Sequence, residues 1–138
     1  SHDSWLIHYD RIRGQPMNGQ IYQISLDQLK GLTFQAEVVY AGTISSHILV
    51  GYYGDELLCI VGLIPRTFLG DDAYIWMQTM PEAENHKLML GRHAKRVVAR
   101  ALEFYPKLIG HCFNDASAKW LRSLGATMTG DTFEIRRV

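Results

Sequence analysis

The sequence carries no excess of charge. Its 14 Lys and Arg balance its 14 Asp and Glu over 138 residues. A neutral chain lacks the global electrostatic pull on which non-specific nucleic-acid binders rely, so nucleic acid is not an expected partner. Cysteine is equally scarce. Only Cys59 and Cys112 occur, without C-x-x-C spacing, which argues against a disulfide framework and gives no metal-ligand pattern. No apolar run approaches the ~20 residues that cross a bilayer, and the first residues show no charged segment leading into one. The chain therefore reads as a soluble cytoplasmic protein with no membrane partner. Repeats, low-complexity stretches and linkers are also missing. With 47% hydrophobic residues, what remains is one domain able to bury a core.

Ser1-His2 reads as a tag remnant and is set aside. Residues 1–19 form an N-terminal extension: Trp5 to Tyr9 suit a strand, but Gly14, Pro16, Asn18 and Gly19 interrupt it. After a β-favouring run at 21–24, Ser25 and Gln28 have capping-box spacing, which starts a helix at Leu26. Leu26, Leu29, Leu32, Ala36 and Val39 keep helical spacing as far as Gly42, and Gly31 is where this helix can split in two. Two β-rich runs, 47–53 and 56–65, flank Gly54-Asp55, a tight-turn pair. A third strand is expected at 73–79. Leu90, Ala94, Val97, Val98, Ala101 and Tyr105 share about a quarter of a helical wheel at ~100° per residue, with Arg92, Arg96 and Arg100 opposite, and Pro106 stops this helix. A strand at 108–113, a helix capped by Asn114 and closed by Gly125, and a final strand at 132–138 complete the order. This is a single α/β (α+β) domain with a mixed, mostly antiparallel sheet flanked by helices.

The run LIGHCFNDASAKWLRSLGA at 108–126 resembles the strand, Asn, helix, Leu-Gly-Phe segment of GNAT N-acetyltransferases, with Ala126 in place of the usual aromatic. IVGLIP at 60–65, AYIW at 73–76 and the Tyr105-Pro106 helix ending are similar to compact phage-encoded GNAT-like proteins. The resemblance covers residues 20–138. It implies a GNAT-like acyltransferase, phage-encoded and acting in the host cytoplasm, with acetyl-CoA or another acyl-CoA as cosubstrate and an amine of a small molecule or host protein as acceptor. The alternative is a non-catalytic GNAT-fold protein that works by binding, as a virion component or an inhibitor of a host enzyme.

The resemblance also implies that the pantetheine arm lies beside the strand at 73–79, with Met77 and Thr79 as contacts, and that the two strands splay to admit the thioester. Pyrophosphate would sit at the start of the helix after Pro81, near Gly91, Arg92 and His93, with Asn114 as a further contact. The family builds its phosphate loop on two closely spaced glycines. Here PEAENHKLMLGRHA at 81–94 holds Gly91 alone, and Glu82 and Glu84 precede it. Many members place a Tyr four residues before the last motif Gly as the thiolate's proton donor; here that position is Leu121. His111, Gln78 and Tyr74 are the substitutes from which a catalytic group would come.

Each of these residues also has a plainer reading. An imidazole titrates at ~6.5 when unperturbed, which suits a base, but His111 alternates with Ile109 and Phe113 as an ordinary strand residue does. Arg92, Arg96 and Arg100 suit phosphates, or simply a solvated helix face. Cys59 and Cys112 are expected to be inert strand thiols, Trp76 and Trp120 core anchors, and Asn114 a cap.

Overall fold

A computed structural model describes residues 6–7, 11–12, 15–16, 19–33, 35–112 and 115–138. Three two-residue strands open the chain: β1 (Leu6–Ile7), β2 (Arg11–Ile12) and β3 (Gln15–Pro16). There follow β4 (Gly19–Ile24), α1 (Leu26–Lys30), α2 (Ala36–Ile44), β5 (His47–Tyr53), β6 (Glu56–Pro65) and β7 (Asp72–Thr79). After a 3-10 turn at Pro81–Asn85 come α3 (Lys87–Phe104), β8 (Lys107–His111), α4 (Asp115–Ser123), β9 (Thr127–Thr129) and β10 (Thr132–Arg136).

Local chemistry accounts for most of these boundaries. Ser25 and Gln28 form the reciprocal capping box, and the helix does split, with α1 ending at Gly31. Gly54-Asp55 closes the β5–β6 hairpin. Gly125 takes φ 96° after α4, and the Ala126 N–H bonds back to the Leu121 carbonyl at 3.1 Å while the Gly125 N–H reaches Arg122 at 3.0 Å, which is the Schellman closure. One element departs from the sequence reading. Thr127–Thr129 is a strand, joined to β10 through Gly130-Asp131, so the chain ends in a hairpin rather than a lone strand.

The sheet order is β1-β4-β5-β6-β7-β8-β10-β9, with β2 and β3 paired separately. All pairings are antiparallel except β7 with β8, where α3 is the crossover that a parallel pair requires. The helices take opposite faces. Leu29 and Val38 of α1 and α2 pack on Ile48, Val50 and Ile60, whereas Val97 of α3 packs on Ile21, Leu49, Cys59 and Val61. A register shift opposite Gly51 and Tyr52 leaves Leu58 without a partner in β5, and Leu58 joins Ala83 and Met89 beneath the start of α3. That start is also tied to the hairpin by His86, whose Nε2 lies 2.7 Å from Glu56 Oε1 and whose ring lies 4.4 Å from that of Tyr53.

At the far end of α3, His47 stacks on Phe104 at 3.9 Å and meets Gln23 Nε2 at 3.2 Å through Nδ1. Burial, then the charge of Arg100, lowers its pKa below 6.5. The unfolded chain therefore takes up this proton first on acidification. Stability from this site is present above pH ~6.5, falls as pH drops below it, and levels off once the folded pKa is passed. His47→Phe keeps the stack and removes the titration. The expected outcome is a thermal midpoint that gains on the parent's between pH 7.5 and 5.5; equal slopes would exclude His47 as a contributor.

Candidate active-site cleft

The parallel pairing of β7 with β8 covers only Asp72↔Lys107, Ala73↔Leu108 and Tyr74↔Ile109. Beyond it β7 stays with β6 as far as Cys59↔Thr79, and β8 stays with β10 as far as Thr132↔His111. The two strands thus part where a shared ladder would otherwise continue, and the β7 backbone from Ile75 onward turns an unladdered edge toward the gap. Gly110 marks the fork. A Cβ there would stand 2.4 Å from Phe133 Cζ and 3.1 Å from the Ile75 carbonyl oxygen.

A cavity of about 450 Å³ occupies the fork between the strands, α3 and α4. Val61, Ile75 and Met77 line it from the sheet, Ala94, Val97 and Val98 from α3, and Leu121 from α4. His111 and Ser117 also border it, at the end of β8 and the first turn of α4. Its size is that of a small-molecule site.

Strand alternation assigns each residue to a face. Ala73 and Leu108 pack with Ala101 on the α3 face, so Ile75, Met77 and Thr79 share that face of β7. Tyr74, Trp76 and Gln78 take the opposite face, together with Ile109 and His111. Counting on from Tyr74↔Ile109, His111 stands level with Trp76, and Tyr74 and Gln78 lie ~7 Å to either side along β7. The three residues named as catalytic substitutes therefore share one face of the fork. They do not form a hydrogen-bonded triad: the Gln78 amide donates to the Thr79 carbonyl at 3.3 Å, and the Arg66 guanidinium lies over the Tyr74 ring at 5.7 Å.

The phosphate-side residues divide. Gly91 lies in the second turn of α3, where a Cβ would meet nothing within 4 Å. Arg92 is half-buried beside it. His93 corrects its expectation: it is fully buried, its Nε2–H donates to the Tyr52 carbonyl at 2.7 Å, and its ring lies against Gly51, where a Cβ would come within 2.9 Å of Cδ2. A ring so enclosed has no face for a phosphate. The cause is the buried face of α3, which is rotated toward Met89 and His93; Arg100, expected opposite the core, is half-buried and lies over the Phe104 ring. Asn114 lies outside the described residues. His86 caps α3 without a side-chain bond, and Lys87 reaches Glu84 Oε1 at 3.5 Å.

Among the residues assigned to the core, Trp76 does anchor: its indole N–H donates to Ser45 Oγ at 2.9 Å. Trp120 packs against the core cluster of Leu121, Phe133 and Ile135, and both tryptophans border the cavity, as do Ser117 and Cys112. Their i, i+3 spacing from Ser117 to Trp120 is the one sequence signal that pointed there. Cys59 is buried, and desolvation pushes its thiol up to about 12, so it is no nucleophile.

No protein-family model matches the sequence, and no curated protein matches it. Solved structures do match. The dodecameric spermidine N-acetyltransferase from Vibrio cholerae is 13% identical with a TM-score of 0.63, over 87% of this chain and 94% of that one. A chimera of the Vibrio cholerae enzyme SpeG and hSSAT gives 12% and 0.66, over 86% and 95%. The GNAT domain of S. lividans PAT gives 13% and 0.56, over 86% and 90%. The chain has the GNAT fold, as one α+β domain.

Because the Gly91 Cβ position is open and the backbone there is helical, Gly91→Ala is expected to stabilise the protein by about 0.5–1 kcal/mol. Chemical denaturation measures this. A loss of stability would mean that the backbone at Gly91 is not relaxed helix.

Proposed function

We propose that the chain is an acyl-CoA-dependent N-acyltransferase that moves an acetyl or other acyl group to an amine of a small molecule or host protein. The observation that carries this is the fork: a parallel pair that ends after Tyr74↔Ile109, opening onto a cavity of about 450 Å³. The pantetheine arm is a narrow chain bearing two amides, and the fork offers both things it needs. The β7 edge presents unladdered backbone donors and acceptors, and the α3 face presents apolar lining. At the phosphate end the fit rests on the uncapped first-turn amides of α3 together with Arg92, with Glu82 and Glu84 standing against it.

When bound, acyl-CoA supplies the activated carbonyl and a thiolate leaving group. The remaining work falls to this chain. Met77 and Thr79 hold the arm against β7. His111 takes the proton released from the attacking amine, and Tyr74 and Gln78, on the same face, orient that amine. Leu121 has no proton to give, so CoA leaves as the thiolate and takes its proton from water, to which His111 releases the proton it accepted. The neighbours named as spermidine N-acetyltransferases make a polyamine the first amine to test. A phage-encoded enzyme acting on a host amine belongs to the same reading.

Thermal unfolding with excess CoA or acetyl-CoA tests the site: a ligand at ~100 times its Kd stabilises the folded state by ~2.7 kcal/mol, a rise of several degrees. His111→Ala is then expected to lower amine acylation at least ~100-fold while the CoA shift persists. Absence of any shift at millimolar ligand would remove the reading.

A second reading, a GNAT-fold protein that acts by binding, is favoured by the loop after β6. Phe68 and Leu69 there are 96% and 89% exposed, side by side. In that case Phe68→Ser with Leu69→Ser is expected to abolish capture of a host protein that the parent retains, while leaving any CoA shift in place. Capture unchanged by the pair would exclude the loop as the contact.

A further inference from the structure

We propose that the preferred acyl donor is a pantetheine thioester borne by an acidic protein, which docks on the basic outer sides of α3 and α4 and threads its arm into the fork. This rests on the acyl-transfer reading above and names what carries the acyl group.

Charge is unevenly spread over this neutral chain. Of its 14 Lys and Arg, α3 holds five and α4 two, whereas of its 14 Asp and Glu these helices hold only Glu103 and Asp115. Glu103 is engaged by Arg100 at 2.6 Å. The same two helices border the cavity from their inner sides, through Ala94, Val98 and Leu121. Their outer sides expose Lys95, Arg96, Lys119 and Arg122. A basic surface around the mouth of a small-molecule cavity favours an acidic partner, by steering its approach and by fixing its register. Leu88, seven residues before Lys95 and so on the same side of α3, is 75% exposed. It offers an apolar contact that a protein surface can cover and a phosphate backbone cannot.

CoA makes poor use of this charge. A diphosphate at the start of α3 meets Glu82 and Glu84 in the preceding turn, and Lys87 is already drawn to Glu84 at 3.5 Å. Lys95 lies eight residues farther on, ~12 Å along the axis and beyond the ~8 Å over which physiological salt screens. Lys119 and Arg122 belong to the other helix. A protein laid across both helices meets all of these cations at once. Its arm also carries a single phosphate where CoA carries three, so it demands less of the terminus. The transfer balances as it does with acyl-CoA. The amine nitrogen bonds to the carbonyl carbon and the C–S bond breaks. His111 accepts the amine proton, and the carrier's thiolate takes one from water.

The test is calorimetry on the full chain with pantetheine, CoA and a bacterial acyl carrier protein with and without its phosphopantetheine. Two contacts on one molecule reinforce each other, so the arm-bearing carrier is expected to bind at least ~10-fold more tightly than CoA or the armless carrier. Lys95→Glu with Lys119→Glu and Arg122→Glu, all at exposed positions, is expected to weaken that carrier at least ~10-fold and to leave CoA unchanged. CoA binding as tightly as the arm-bearing carrier overturns this inference and leaves the acyl-CoA reading intact. Loss of CoA affinity in the triple variant does the same, because it assigns the cations to the nucleotide. An armless carrier that binds as tightly as the complete one takes the arm out of the fork and also overturns the inference. Duplex DNA binding more tightly than the carrier assigns the surface to nucleic acid instead. No binding by any pantetheine species overturns both readings, and the parent series decides the question if the triple variant does not fold.

Discussion

The arrangement depends on a competition between strand pairings. β7 makes seven residue pairs with β6, β8 makes five with β10, and β7 and β8 make only three with each other. Sheets twist, so a strand bound along its length to an antiparallel neighbour follows that neighbour's direction. With the stronger pairings on the outside, β7 leaves with β6 and β8 leaves with β10. What keeps the halves in one domain is α3, the crossover between the parting strands. Val98 and Leu102 pack with Leu63 and Leu108 on one side and with Phe133 and Ile135 on the other, and Ile75 joins both groups. Gly110 permits the closest approach at the fork, since a side chain there would press on Phe133 and the Ile75 carbonyl together.

Helix coverage is unequal across the two faces, and this makes the fork two-sided. On the α3 face, α3 and α4 roof the fork and turn it into a cavity. On the other face, α1 and α2 cover β4 to β6, whose Ile48, Val50 and Ile60 are buried beneath them. Tyr74 and His111, farther along the same face, remain exposed. A ligand lodged under α3 and α4 would therefore meet a second molecule only through the gap, from the side where His111 and Tyr74 stand. Two compartments joined by one opening suit a group transfer, because each reactant has its own approach.

Much of this architecture is legible in the sequence wherever a short segment decides the outcome. The Ser25 and Gln28 cap, the Gly54-Asp55 turn and the Gly125 closure each depend on four to six residues, and all appear where the sequence puts them. The α3 periodicity is clear, but its rotation is not. Leu90, Val98 and Tyr105 fit a wheel as well as Met89 and His93 do, and only the bulge that sends Leu58 under Met89, with Gly51 leaving room for an imidazole, settles which side faces in. His93 was accordingly misread from its neighbour Gly91. The Thr127–Thr129 strand is too short to show a period, although Gly130-Asp131 between threonines is a turn signal. Strand parity places Tyr74, Gln78 and His111 on a common face. The cavity has no such signature, since its lining joins Val61 of β6 to Ser117 and Leu121 of α4 across more than fifty residues of chain.

The two ends of the fork are unequally made, and the inequality bears on how a ligand would be held. At the α3 terminus, Glu82 and Glu84 lie in the preceding turn, and the one nearby lysine of the first turn already engages Glu84. A helix terminus contributes only ~0.3–1 kcal/mol toward an anion at the surface. With no net charge on the chain, and screening over ~8 Å at physiological salt, nothing distant adds to it. Apolar burial gains about 25 cal/mol for each Å² removed from water, and the cavity wall is largely aliphatic. On the proposed acyl-CoA reading, the affinity of such a site would therefore reside beneath α3 and α4 rather than at the phosphates. A ligand held by its inner end is fixed most firmly where the strands part, beside His111, while its outer end stays loosely tethered. On the proposed acyl-CoA reading this distribution favours transfer, since orientation at the reacting atoms contributes more to rate than grip on a remote group that is held equally throughout the reaction.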